Sequence, residues 1–158
     1  GTSVSMYFPR SRTRERDRQV APPSAPPTAS AERELILVVE DDPVVRTLAE
    51  HMLASLGYRT LLAKDASAGV CLLEHHRNID LVLSDVVLPG GMSGLEFSEL
   101  VAERWPTTAV VLMSGYATDA FRERGLSESE REILAKPFDR ASLARMVRER
   151  LDARTAGG

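Results

Sequence analysis

Five residues of this 158-residue chain stand out for what their side chains could do together: Glu40 and Asp41 in LILVVEDDP, Asp85 in LVLSDVV, Ser114 in VVLMSGY and Lys136 in LAKPF. Carboxylates drawn close together repel, and in an empty cluster at least one pKa should rise. A hard divalent cation relieves that repulsion, and Mg2+ prefers a few carboxylates plus waters and a phosphate oxygen. A carboxylate beside such an ion can attack a phosphoryl group. An ammonium and a hydroxyl would then bind the phosphoryl oxygens and offset their charge. The chemistry in view is phosphoryl acceptance, provided the fold unites the five. Lysine is itself an unusual choice here, because Lys64 and Lys136 are the only lysines among twenty basic residues.

Each residue also has a plainer use. Asp41 and Asp42 could cap a helix, and for Asp42, with Pro43 behind it, capping is the better reading. Asp85 and Ser114 could begin turns, and Lys136 could be a solvated surface cation. Isolated motif matches mislead, so the weight falls on where the residues stand relative to one another.

That placement follows from the pattern of short apolar runs and amphipathic stretches after Glu34. Apolar runs at 35–40, 58–63, 79–85, 107–114 and 131–135 predict five strands covered on both faces. Between them, Val45, Leu48, Met52 and Leu56 recur at helical spacing before Gly57. Further helices are expected at 66–76, 95–104, 117–123 and 139–153, the last with Leu143, Met146, Val147 and Leu151 on one face. Five such units predict an α/β fold, a parallel sheet with helices on both sides. In such sheets the working site lies at the carboxyl ends of the strands. Strand one ends on Glu40 and Asp41, strand three on Asp85, strand four on Ser114 and strand five on Lys136. Acid, acid, hydroxyl and lysine thus fall at four strand ends, an order that chance rarely supplies.

Composition narrows the alternatives. A hydrophobic content of 43% supports one globular core, and a net charge of -3 gives no bulk attraction to nucleic acid or membrane. The longest apolar runs are too short to cross a bilayer, and no basic stretch precedes an apolar one as in a signal peptide. The single cysteine, Cys71, excludes an internal disulfide, fits a reducing cytoplasm and reads as a small buried hydrophobe within GVCLLE. His51, His75 and His76 lack metal-ligand spacing. His75 and His76 fall near a helix end, where imidazole suits the negative pole.

Before Glu34 the texture differs. GTSVSMYFPR alternates like a half-buried strand with no partner strand nearby. Residues 10–33 are rich in Arg and Pro, present no apolar face and read as a flexible linker. A nucleic-acid arm would interleave aromatics and avoid Glu15 and Asp17.

Together, VVEDDP, LVLSDVVLPGGMSGLE, VVLMSGYA and LAKPF resemble the signature segments of the receiver domain of two-component response regulators, over residues 34–153. The resemblance implies a CheY-like, flavodoxin-like doubly wound sheet of order 2-1-3-4-5 with five helices. It implies that Asp85 is the phosphoacceptor for a phosphohistidine, that Asp41, Asp85 and the Val87 carbonyl ligate Mg2+, and that Glu40 acts through a water. Ser114 would be the switch hydroxyl, Lys136 would pair with the phosphoryl group, and the Lys136–Pro137 bond would be cis. Val87 and Tyr116 would flank the attacking water and tune dephosphorylation.

Two features depart from the commoner form. Ile133 stands where many members carry an aromatic switch residue, so the output surface would respond differently. The loop after Asp85 carries an additional glycine, a version familiar from receivers attached to sensor kinases. GTSVSMYFPR resembles the end of a histidine kinase ATP-binding domain, where a Gly-Thr turn leads into the last strand. These features imply a C-terminal receiver of a hybrid sensor histidine kinase. Residues 1–9 would be a remnant of the preceding domain and 154–158 a tail. Partners would be a kinase dimerisation and phosphotransfer domain, in cis or in trans, or a histidine phosphotransfer protein. Nucleic acid and membrane are not expected as partners. The resemblance implies self-catalysed phosphotransfer and autodephosphorylation without an ATP site, in the cytoplasm.

Other readings remain open at this point: a stand-alone single-domain regulator, or a pseudo-receiver kept only for protein contacts. The complete set Glu40, Asp41, Asp85, Ser114 and Lys136 argues against the pseudo-receiver. A phosphatase with an aspartyl nucleophile would want a second acid two residues beyond it, where Val87 stands.

Overall fold

A computed structural model describes residues 34–115 and 133–156. The predicted strand at 2–8, the linker and the predicted helix at 117–123 lie outside the described residues. Nine elements follow in order: β1 (Leu35–Val39), α1 (Pro43–Ser55), β2 (Arg59–Ala63), α2 (Ala66–His75), β3 (Leu81–Asp85), α3 (Gly94–Arg104), β4 (Ala109–Ser114), β5 (Ile133–Ala135) and α4 (Arg140–Ala156). The five strands form one parallel sheet of order β2-β1-β3-β4-β5. The α/β class and the strand order are those expected from the sequence.

The central strands β1 and β3 are buried along their whole length, which explains their unbroken apolar runs. Successive side chains point to opposite faces. Ile36, Val38, Leu81 and Leu83 therefore pack on one side with Ala49 and Leu53 of α1 and Leu143, Val147 and Leu151 of α4. Leu35, Leu37, Val39 and Val82 pack on the other with Leu73 of α2 and Phe97 and Val101 of α3. The same alternation assigns Glu40 and Asp85 to the α1 and α4 side, at the carboxyl ends of their strands.

Helix starts are set by side chains. Asp42 caps α1, accepting from the Val44 and Val45 N–H groups at 2.7 and 3.3 Å, with Pro43 at the first helical position. Ser93 and Glu96 form a reciprocal capping box at α3.

Three expectations are corrected. Cys71 is exposed, because α2 turns Ala66, Gly69 and Leu73 inward and leaves Cys71 on the opposite face. Leu48 is 47% exposed, because the inward ridge of α1 runs through Ala49 and Leu53. The last helix continues to Ala156, where a tail was expected from residue 154. Arg154 holds that final turn down by donating to the Asp80 carboxylate and to the Asp80 and Thr107 carbonyls. No helix among the described residues is long and apolar enough to cross a membrane.

Candidate functional site at the carboxyl edge of the sheet

Glu40, Asp41 and Asp85 meet at the carboxyl edge, each offering an oxygen within 4.8 Å of the others. Parallel pairing brings Glu40 and Asp85 together: Val39 lies beside Ser84, so the residues that follow them come side by side. Glu40 is 1% exposed and Asp85 9%, whereas Asp41 faces solvent and opens the cluster on one side. The Lys136 ammonium reaches across from the end of β5 and bridges Glu40 Oε2 at 2.5 Å and Asp85 Oδ2 at 2.8 Å. Lys136 follows a strand that pairs only through Leu112–Ser114, and its own N–H donates to the Ser114 carbonyl at 2.8 Å. Ser114 is buried one strand away from Asp85. The Lys136–Pro137 bond is cis, as the resemblance implied.

Burial raises the Glu40 carboxyl above its ordinary range; the Lys136 hydrogen bond pulls it back and the Asp85 charge pushes it further up. For Lys136, burial alone would lower the ammonium. Its hydrogen bonds to Asp85 and Glu40, together with the charges of those two acids, outweigh burial, so the net direction is upward and the lysine stays charged. Three carboxylates facing one ammonium leave an excess of negative charge in a hard-oxygen donor set with an open side. That combination fits a divalent cation of the Mg2+ kind.

Val87 reaches the site through its backbone N–H, which donates to Asp85 Oδ1 at 3.2 Å, while its side chain is 74% exposed. Tyr116 lies outside the described residues. Ile133 is partly buried and packs on Val86, Leu95 and Leu112, joining β5 to the start of α3 beside Asp85.

Arg46 and Gly94 were not singled out in the sequence. The Arg46 guanidinium donates to the Glu40 carbonyl at 2.7 Å and the Asp41 carbonyl at 3.2 Å, bracing the turn that presents both acids. Its signal in the sequence is a cation near the start of a helix, where the dipole favours acids. Gly94 opens α3 against the Asp85 backbone. Its signal is a poor helix former at the first position after the Ser93 cap.

Comparison with known proteins places these observations. The model of the response regulator receiver domain matches residues 36–148. The sensor kinase CckA of Brucella abortus is 34% identical over 121 residues, which cover 74% of this chain and 12% of CckA. The chain spans about half, 47–51%, of several transcriptional regulatory proteins that it also resembles. Among solved structures, the signal receiver domain of an HD domain-containing protein from Pseudomonas fluorescens Pf-5 superposes with a TM-score of 0.70 at 27% identity, covering 78% of this chain and 98% of that one. The receiver domain of the sensor histidine kinase PA1611 from Pseudomonas aeruginosa PAO1, with a magnesium ion coordinated in its active site cleft, gives 0.65 at 32% identity, covering 75% and 98%.

Proposed function

This chain belongs to the response regulator receiver domain family of two-component systems, and from that premise we propose that Asp85 accepts a phosphoryl group from a phosphohistidine. The observation that carries this is the cluster itself: three acids within 4.8 Å of one another, bridged by a lysine that touches Glu40 and Asp85. An Asp85 oxygen attacks phosphorus, the P–N bond breaks, and the imidazole leaves with the electron pair. Asp41, Asp85, the Val87 carbonyl and, through a water, Glu40 would hold Mg2+, which would offset charge on the phosphoryl oxygens. The magnesium in the PA1611 receiver supports that choice of ion. Lys136 then transfers its contacts from carboxylates to a phosphoryl oxygen, and the Ser114 hydroxyl moves onto another, shifting a two-state arrangement of the surrounding loops.

The phosphodonor is a protein: a kinase dimerisation and phosphotransfer domain or a histidine phosphotransfer protein. Val44 at the start of α1 and Val87 beside Asp85, each 74% exposed, supply apolar surface next to the acceptor. Similarity to CckA and to the PA1611 receiver supports a hybrid sensor kinase as parent, with residues 10–33 as tether and the site in the cytoplasm.

The test is amide NMR of the protein with Mg2+ and either acetyl phosphate or beryllofluoride. Shifts are expected around Asp85, Ser114 and Lys136. Their absence, or labelling of Asp85→Asn at the wild-type rate, would defeat the proposal.

A further inference from the structure

The three glycines of LPGGMSG serve two different physical needs. Gly90 and Gly91 adopt φ of 94° and 91°, a region that side chains disfavour, yet a Cβ on either would meet nothing within 4 Å. Those two are needed for backbone conformation. Gly94 is the opposite case. It is not among the positive-φ glycines, but a Cβ there would lie 1.7 Å from the Asp85 carbonyl oxygen, 2.7 Å from the Asp85 carbonyl carbon and 3.0 Å from Val86 Cα. The three nearest atoms are all backbone, so no side-chain rotation could relieve those contacts.

Asp85 is also gripped from other directions. The Gly94 N–H donates to the Val86 carbonyl at 2.9 Å, and the Val86 N–H donates to the Met113 carbonyl at 2.9 Å. The Ser84 hydroxyl donates to the Asp85 carbonyl at 3.0 Å. The carbonyl carbon that a Gly94 side chain would displace is bonded directly to the Cα from which the Asp85 side chain, with its carboxylate on Cβ, extends. Any shift there is passed to Oδ1 and Oδ2, which Val87 N–H and Lys136 contact at 3.2 and 2.8 Å.

We propose that Gly94 is a positioning residue for phosphoryl acceptance: its bare Cα lets the start of α3 seat on the Asp85 carbonyl, which fixes the direction of the acceptor carboxylate. The proposal rests on Asp85 being the acceptor. Misplacement of a reacting group by about 1 Å can cost on the order of a hundredfold, so a displaced Asp85 should be felt at the site even in a folded protein.

Gly69 supplies the control. A Cβ on it would meet Phe97 Cζ at 2.8 Å and Val39 Cγ2 at 3.3 Å, side-chain atoms of the core on the sheet face opposite Glu40 and Asp85. Gly94→Ala and Gly69→Ala should both lower the melting temperature. Below both transitions, calorimetric titration with Mg2+ and beryllofluoride should show Gly94→Ala weakened about tenfold or more and Gly69→Ala within about twofold of wild type. The Asp85 and Lys136 amide resonances of the free protein should move in Gly94→Ala only. Wild-type affinity in Gly94→Ala, or equal weakening in both variants, would overturn the inference. Should Gly94→Ala not fold, Ser84→Ala loosens the same carbonyl without added bulk. A loss of about threefold is expected there, and unchanged affinity would count against the inference. A wild-type protein that does not bind beryllofluoride at all would instead remove the assignment of Asp85.

Discussion

Charged residues gather at both ends of the sheet, and they do opposite things. At the amino end, Glu34, Asp80 and Asp152 meet Arg148 and Arg154. Arg148 grips Glu34 through two hydrogen bonds of 2.9 and 3.0 Å and also pairs with Asp152. Asp80 binds Arg154 through one oxygen at 2.8 Å and the Leu35 N–H through the other at 2.8 Å. Each acid there contacts a guanidinium, and the result is a clamp joining α4 to the entries of β1 and β3. At the carboxyl end, three carboxylates share one ammonium, and one of the three is almost wholly buried. The same side-chain types make structure where every acid contacts a guanidinium and chemistry where three acids crowd around one ammonium.

The strongest way to break the comparison is to neutralise one acid at each end. Asp85→Asn should abolish labelling by acetyl phosphate while leaving the fold intact or more stable, since it removes a charge that opposes Glu40. Asp80→Asn should leave labelling unchanged and cost about 1–2 kcal/mol, read from the urea midpoint, because it strips an acceptor and a charge from a paired site. Labelling lost in Asp80→Asn, or retained in Asp85→Asn, would erase the distinction.

A finer probe is Arg46, the one guanidinium that touches the acidic turn among the described contacts. It binds carbonyls, so its work is geometric. Arg46→Lys keeps the charge on a side chain one bond shorter, so it withdraws the single nitrogen, Nη1, that reaches both the Glu40 and Asp41 carbonyls. Mg2+ affinity, measured by calorimetry, should fall about tenfold, as expected for a group that orients metal ligands. An unchanged affinity would show that charge alone suffices there.

Legibility from sequence followed the range of the interaction. The acids, Ser114 and Lys136 could be chosen because parallel strands place their carboxyl ends side by side, so strand-end residues become neighbours without any further information. Asp42 was readable as a cap because capping is local, and its 2.7 Å bond to the Val44 N–H bears that out. The strand order came from family resemblance; periodicity carries no information about which strands pair. Cys71 was misjudged because apolar neighbours in sequence do not share a helix face. Arg46 and Gly94 act through backbone atoms, on which side-chain patterns are silent. A tenfold effect at Gly94 would arise from a residue with no side chain at all.

The last prediction concerns an acid close to the site in sequence but of the structural kind. Asp139, three residues after Lys136, accepts from the Ser142 N–H at 2.7 Å, and its carbonyl accepts from Leu143 at the start of α4. Hydrogen bonds to the carboxylate, from the Ser142 N–H foremost and then the Ser142 hydroxyl, hold it below the ordinary 3.8. A depressed folded-state pKa means that the stabilisation is present above 3.8 and is lost as pH falls through the lower folded value. Asp139→Asn keeps an acceptor and removes the charge, so its melting temperature should lie below wild type at neutral pH. The two curves should converge in acid, as wild-type Asp139 becomes protonated. Phosphoryl labelling at neutral pH should not change. A gap that persists in acid would mean that the cap works through shape and not through charge. Altered labelling would mean that an acid's partners do not separate structure from chemistry at this edge of the sheet.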